Sequence, residues 1–93
     1  LNDPEPNVQW GSALSLAKLH DASGRRVIEK LLDREYLAKF PEVDAQEQNH
    51  LMLAAIDAVK TLKLTEFKER LQLLADSDKN MKVRAAALEY LQN

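Results

Sequence analysis

The sequence predicts an all-α fold in which helical hairpins stack into a solenoid. Its composition favours helix over strand, because 16 Leu and 12 Ala outnumber the nine Val, Ile and Thr residues together, and Gly and Pro are few. Segments with the same pattern of apolar and small residues also recur along the chain. Such recurrence is typical of repeat architectures, in which each helical hairpin buries its apolar stripe against its neighbours.

Composition and charge limit the classes of function. The chain has 93 residues, enough for one small domain, and 30% of them are charged, with a net charge of −2. The absence of Cys excludes disulfides, thiol catalysis and Cys-based zinc sites. The slightly acidic balance argues against a dedicated nucleic-acid binder, and no membrane association is expected. The compartment stays open, with the cytoplasm favoured over the periplasm.

Three segments align without gaps, namely residues 8–19, 51–62 and 83–91. Their apolar columns include one formed by Val8, Leu51 and Val83. Two adjacent columns of small residues consist of Gly11, Ala54 and Ala86 and, one position later, Ser12, Ala55 and Ala87. Small residues at such positions predict close approach between stacked helices.

The alignment also predicts the organisation of a single domain over residues 1–93. The first two repeats are offset by 43 residues, whereas the second and third are 32 apart, so the first carries an 11-residue insertion. The expected units are repeat 1 at about 3–33, the insertion at about 34–44, repeat 2 at about 45–76 and a partial repeat 3 at about 77–93. Because the chain begins at Leu1 without an initiator methionine, we expect a piece of a longer solenoid that packs against further repeats.

Five antiparallel helices are expected, forming two full hairpins and a closing helix. The predicted helices span residues 4–19, 23–33 (running on to about 39), 45–63, 65–75 and 79–92. The expected N-terminal caps are Asp3, Asp21 or Ser23, Thr65 and Asp78, because short polar side chains accept hydrogen bonds from the first free N–H groups of a helix.

The repeated columns resemble the HEAT repeat, in its short bacterial form that also occurs in phycobilisome-lyase-type proteins. The third repeat is closest to that pattern, with Asp78 followed five residues later by Val83-Arg84, three Ala and Leu88. The first has Gln9 where Arg is usual and His20 where Gly is common. The second departs most, with Gln46 and Met52 in the Asp and Arg columns.

The resemblance implies a right-handed HEAT-like or ARM-type α-solenoid that acts as a non-enzymatic scaffold or adaptor for a protein partner. In such stacks the second helices of the hairpins commonly provide the binding side. The corresponding polar residues here, which we call the second-helix face, are Arg25, Arg26, Glu29, Lys68, Glu69 and Gln72. An ordinary solvated surface with charge pairs between successive turns is the alternative interpretation of these residues.

Two other functions remain as alternatives to the adaptor. The chain could be a structural or self-associating segment of a longer solenoid, with apolar ends that pack on other repeats. Nucleic-acid binding through the second-helix face is disfavoured, because Lys and Arg exceed Asp and Glu by only three between Lys60 and Arg84 and the signs alternate. No Gly-rich phosphate loop or nucleophile elbow occurs, so neither enzymatic activity nor a cofactor is expected.

Individual residues add three expectations. Trp10 is expected to pack between helices, or against a preceding repeat, rather than to anchor a partner. The insertion carries Tyr36, Leu37 and Phe40, which we expect to cover the gap between the first hairpin and the third helix. A functional role of residues 34–44 is the alternative, because long connections in compact domains are often functional. His20 and His50 are expected on the surface, because neither has a second ligand three or four residues later that would form a metal site.

Overall fold

The computed structural model describes residues 6–92, with side chains described from residue 9 onward. The α-helices in this range are α1 (Pro6–Lys18), α2 (Arg25–Leu31), α3 (Arg34–Ala38), α4 (Ala45–Leu62), α5 (Lys68–Ser77) and α6 (Met81–Gln92). Short 3-10 turns, Ala22–Gly24 and Thr65–Phe67, precede α2 and α5. No strand occurs between residues 6 and 92, so the all-α prediction is confirmed for the described chain.

The insertion differs from the prediction, because it contains a helix of its own. The second helix does not run on to residue 39; it ends at Leu31, and α3 begins at Arg34. Asp33 separates the two helices with extended backbone angles, φ −109° and ψ 107°. Its side chain accepts hydrogen bonds from the N–H groups of Glu35 at 3.0 Å and Tyr36 at 3.4 Å. Asp33 therefore caps a new helix instead of ending the previous one.

The turns inside the two hairpins have the same backbone geometry. His20 and Lys63 are the two non-glycine residues with positive φ among the described residues, at 59° and 56°. They lie 43 residues apart, and each is followed two residues later by a 3-10 turn. A left-handed residue after a helix satisfies its last carbonyl groups and reverses the chain direction. The chain therefore turns in the same way after α1 and after α4, at the spacing at which the sequence repeats.

The N-terminal caps match the prediction only in part, and Asp3 lies outside the described residues. Asp21 accepts a hydrogen bond from the Ser23 N–H at 2.9 Å, as predicted. The prediction for Thr65 is wrong, because Thr65 already lies inside the 3-10 turn, and the cap position holds Leu64, which has no acceptor. The prediction for Asp78 is also wrong. Asn80 caps α6 instead, and its side-chain oxygen accepts from the N–H groups of residues 82 and 83 at 2.9 and 3.1 Å.

The two columns of small residues match the prediction only in part, and Ser12, Ala54 and Ala86 are half-buried. Ala55 and Ala87 are completely buried between helices. Gly11, by contrast, is exposed, and a Cβ atom built on it meets no atom within 4 Å. The close contact involves Gly24, where an added Cβ would lie 2.7 Å from the Cβ of Ala13. Gly24 therefore allows the end of the first turn to lie directly against α1.

The helices pack around one apolar core. Helix α4 packs against α1 on one side and α6 on the other, α2 packs on α1 and α4, and α5 packs on α6. Helix α3 fills the space beside α2 and α4. The largest completely buried side chains are Ile28, Leu31, Leu32, Leu37, Met52, Val59, Leu71 and Val83. These residues come from every helix except α1, which contributes the smaller Ala13 and Ala17 and the largely buried Trp10.

Candidate interaction surface

The second-helix face is exposed to solvent at all six of its residues. On α2 it lies opposite the buried Ile28 and Leu31, and on α5 opposite the buried Leu71 and Leu74. Gln72 uses its amide to donate a hydrogen bond to Asp76 one turn later, at 3.1 Å. The helical spacing therefore places these side chains on the surface, where a partner would reach them.

The second-helix face is not one continuous strip, because α2 and α5 make only marginal contact with each other. An open cleft of about 510 Å³ separates α5 from the end of α2 and from α3. We call it the interhelical cleft; its lining includes Arg34, Glu35, Ala38, Arg70, Leu73 and Ser77. None of the six residues of the second-helix face lines this cleft. The alignment of the repeated segments did not predict this cleft, because the cleft depends on the position of α3.

Leu73 is the notable apolar residue of the interhelical cleft. Its side chain is 60% exposed, although most leucines of the described chain are buried or half-buried. At the 43-residue offset its counterpart in α2 is Lys30, whose ammonium lies 5.9 Å from the centre of the Tyr36 ring. Helices α2 and α5 therefore differ at this position. Helix α2 has a cation near an aromatic ring, whereas α5 has an exposed leucine.

An ion pair fixes one wall of the interhelical cleft. The guanidinium of Arg34 donates to both carboxylate oxygens of Asp78, from Nε at 2.9 Å and from Nη2 at 2.7 Å. It also donates to the side-chain oxygens of Gln48 at 3.2 Å and Asn49 at 2.9 Å. The Arg34 and Asp78 side chains are only 14% and 2% exposed. Arg34 therefore joins α3 to the start of α4 and to the loop between α5 and α6.

The environment of Asp78 favours its ionised form. Burial raises the pKa of this carboxyl, but the hydrogen bonds from Arg34 and from the Asn80 N–H, together with the charge of the guanidinium, hold the pKa below its ordinary value. Among the described residues, no buried side-chain nitrogen or oxygen lacks a hydrogen-bond partner. The ion pair is thus fully satisfied within the fold.

The insertion packs its aromatic residues on Trp10, which is only 3% exposed. The Trp10 ring meets Tyr36 and Phe40 edge to face, with centroids 6.2 and 5.2 Å apart, and its Nε1 donates to the Tyr36 hydroxyl at 3.4 Å. Leu37 is completely buried. The prediction that Trp10 packs between helices is therefore confirmed, and the insertion covers the gap between the first two helices and α4, as expected. Trp10 offers little surface to a partner.

The histidines and acidic residues form no metal site in the described part of the chain. His20 and His50 are both exposed, as predicted. A second depression, of about 770 Å³, lies between α1 and the start of α4, and its rim includes His50 and three carboxylates, Glu42, Asp44 and Glu47. Asp44 is engaged as the cap of α4, where it accepts from the Glu47 N–H at 2.8 Å.

Between residues 6 and 92, no helix has the length and apolar character needed to cross a membrane. Comparison with models of known protein families, with curated proteins and with solved structures finds no match to this chain.

Proposed function

We propose that the chain is a non-enzymatic protein-interaction module, a HEAT-like α-solenoid segment that binds a protein partner on the side of its second helices. Two features support the solenoid arrangement. The first helices of the hairpins and the closing helix lie side by side in the order α1, α4, α6. The turns of both hairpins also share their left-handed residue and their 3-10 turn at the same offset.

The observation that carries the proposed binding side is the exposed Leu73 in the wall of the interhelical cleft. Exposed residues of both signs surround it, with Arg70 beside it on α5 and Glu35 across the cleft on α3. An apolar centre with a polar, charged rim is the usual composition of a protein-binding patch. The partner accordingly inserts an apolar side chain beside Leu73, while the second-helix face contacts its charged residues.

Photo-crosslinking tests this location. A benzophenone amino acid placed at Leu73 should crosslink to a defined partner in an extract of the source organism, because the side chain lies at the centre of the proposed contact. The same group placed at Leu19 is the matched control, since Leu19 is an exposed leucine at the end of α1, 76% exposed. Equal crosslinking patterns from the two positions would contradict the proposed binding side.

Charge reversal tests the contribution of the second-helix face. The double variant Arg25→Glu and Lys68→Glu should slow association with the crosslinked partner, because rim charges act mainly on association rate and specificity. The control Lys18→Glu and Lys60→Glu carries the same change in charge on exposed positions of α1 and α4. Nuclease treatment of the extract should leave the crosslink unchanged; loss of the crosslink after that treatment would favour nucleic-acid binding instead.

A further inference from the structure

Helix α6 is apolar on two opposite sides. Val83 and Ala87 face the core and are completely buried. Met81, Ala85 and Leu88 follow the helical spacing of i, i+4 and i+7 on the other side, where all three are exposed, Met81 at 80% and Leu88 at 47%. We call these three residues the α6 stripe. A helix that is apolar on both sides is ordinarily covered on both, so the α6 stripe is a candidate for contact with another helix.

The α6 stripe has the arrangement of a surface that fits itself. Two large residues, Met81 and Leu88, lie on either side of the small Ala85. If two copies of α6 pack antiparallel around a twofold axis at Ala85, Met81 of each copy lies beside Leu88 of the other. The two Ala85 residues then meet at the axis, where their small size permits the helices to approach closely.

The charges beside the α6 stripe fit the same antiparallel register. Lys82 and Glu89 are seven residues apart, so both lie along one edge of the stripe, and both are exposed. A twofold axis perpendicular to the helices places the same edge of each copy side by side, and the two edges run in opposite directions. With the axis at Ala85, Lys82 of each copy therefore lies opposite Glu89 of the other, which gives two symmetric ion pairs. Side-chain size and charge thus independently select one register.

We infer that α6 joins two copies of this chain in an antiparallel homodimer centred on Ala85. The association is weak for two reasons. Arg84 lies on the other edge of the α6 stripe and faces its own symmetry mate across the axis, so like charges approach each other there. The stripe also has only three apolar residues, so it offers less than the roughly 800 Å² per partner of a stable interface.

A single introduced cysteine tests the register directly, since the natural sequence contains no Cys. Ala85→Cys should form a disulfide-linked dimer under mild oxidation, because the two Cα atoms at the axis come within the range that a disulfide spans, about 4.4–6.8 Å. Ser15→Cys is the matched control, at an exposed position of α1. We expect crosslinking of Ala85→Cys to be at least about tenfold faster than that of the control.

Charge exchange across the axis separates this pairing from unspecific association. Lys82→Glu alone should weaken dimerisation in sedimentation equilibrium, because it places two carboxylates opposite each other. The double variant Lys82→Glu and Glu89→Lys should restore dimerisation to the wild-type value, since it exchanges the two partners of each ion pair. Arg84→Ala should strengthen it by about two- to fivefold, because the like-charge contact is lost.

Two further variants test the apolar contact of the α6 stripe. Leu88→Asp should reduce the association constant by at least about tenfold, whereas Leu19→Asp, at a leucine that is exposed elsewhere, should leave it unchanged. Circular dichroism should show that both variants remain helical and unfold cooperatively at low concentration, so a lower association constant of Leu88→Asp reports on the contact itself. The inference is overturned if the wild-type chain stays monomeric up to about 1 mM. It is equally overturned if Ala85→Cys crosslinks no faster than Ser15→Cys.

Discussion

The turns after α1 and after α4 have the same backbone geometry but differ in how the space behind the turn is filled. At the 43-residue offset, Gly24 of the first hairpin corresponds to Phe67 of the second. Gly24 has no side chain and lies directly against Ala13, whereas the Phe67 ring is 6% exposed and occupies the core beside its own hairpin. The same backbone turn is thus compatible with a core closed either by close approach of the turn to α1 or by one large side chain.

The surroundings of the two hairpins differ as well. The insertion covers the first hairpin with Tyr36, Leu37 and Phe40, and α6 covers the second through Val83 and Ala87. Arg34 at the start of the insertion connects the two parts, because it binds the loop that leads into α6. The hairpins are therefore expected to unfold together, and each of the following variants tests one part of that arrangement.

Deletion of residues 34–43 should have the largest effect. It removes the buried Leu37 and Val43, uncovers Trp10 and leaves Asp78 without Arg34. We expect the chain to lose cooperative unfolding, because a domain of this size is stable by only about 5–15 kcal/mol. Thermal unfolding followed by circular dichroism measures this. An unchanged melting temperature would mean that the insertion is dispensable for the fold.

Phe67→Ala should have the second-largest effect. We expect a loss of about 3–5 kcal/mol of unfolding free energy, because the truncation leaves a cavity in the second hairpin. Urea denaturation measures the loss. Phe67→Leu is the control, since it keeps most of the buried volume and should cost much less. A loss below about 1 kcal/mol for Phe67→Ala would show that the second hairpin does not depend on this ring.

Gly24→Ala should destabilise the first hairpin by about 1–3 kcal/mol, because the added Cβ would lie 2.7 Å from that of Ala13 and force α1 and the turn apart. Gly11→Ala is the matched control. A Cβ there meets nothing within 4 Å, and alanine is the better helix former, so this variant should gain about 0.5–1 kcal/mol. Equal effects of the two substitutions in urea denaturation would contradict the assignment of the close contact to Gly24.

His20→Gly should have the smallest effect, a gain of about 0.5–1 kcal/mol, because glycine adopts a φ of 59° without the steric cost that histidine bears. Lys63→Gly should behave alike in the second hairpin, where φ is 56°. The melting temperatures of the two single variants should therefore rise by similar amounts. A rise in only one of the two melting temperatures would indicate that the turns differ in strain although their backbone angles are similar.

Local sequence signals predicted most of the helices but not the way the insertion joins them. Leu and Ala periodicity placed α1, α4, α5 and α6 near their observed positions, because a single apolar stripe is readable along the chain. Helix α3 was missed, although Asp33 followed by Arg-Glu-Tyr could have indicated a new N-terminal cap. The Arg34–Asp78 pair could not be found this way, since 44 residues separate its partners and neither stands out locally.

The candidate interaction surface could likewise be predicted from the sequence only in part. Helical spacing predicted that the second-helix face is exposed, because each of its residues lies opposite a buried one on the same helix. The interhelical cleft and the exposure of Leu73 depend on the distance between α5 and the helices α2 and α3. That distance has no signature in the periodicity of these helices.

The ion pair also predicts a dependence of stability on pH. Because the folded pKa of Asp78 lies below its unfolded value, the contribution of this group is fully present above the ordinary pKa of an aspartate, about 3.9, and is lost as pH falls through the lower folded value. Urea denaturation between about pH 5 and pH 2 should therefore show a steeper loss of stability for the wild-type chain than for Asp78→Asn. Parallel curves would indicate that Asp78 is not held ionised by Arg34.

The most direct test of the connection between the two hairpins is a double-mutant cycle of Arg34→Ala and Asp78→Ala, measured by urea denaturation at neutral pH. Each single variant leaves a largely buried charge without its partner, so each should cost about 2–4 kcal/mol, and the double variant should cost little more than either. We predict a coupling energy of about 2–3 kcal/mol between the two residues. A coupling energy near zero would contradict the conclusion that Arg34 joins the insertion to the second hairpin.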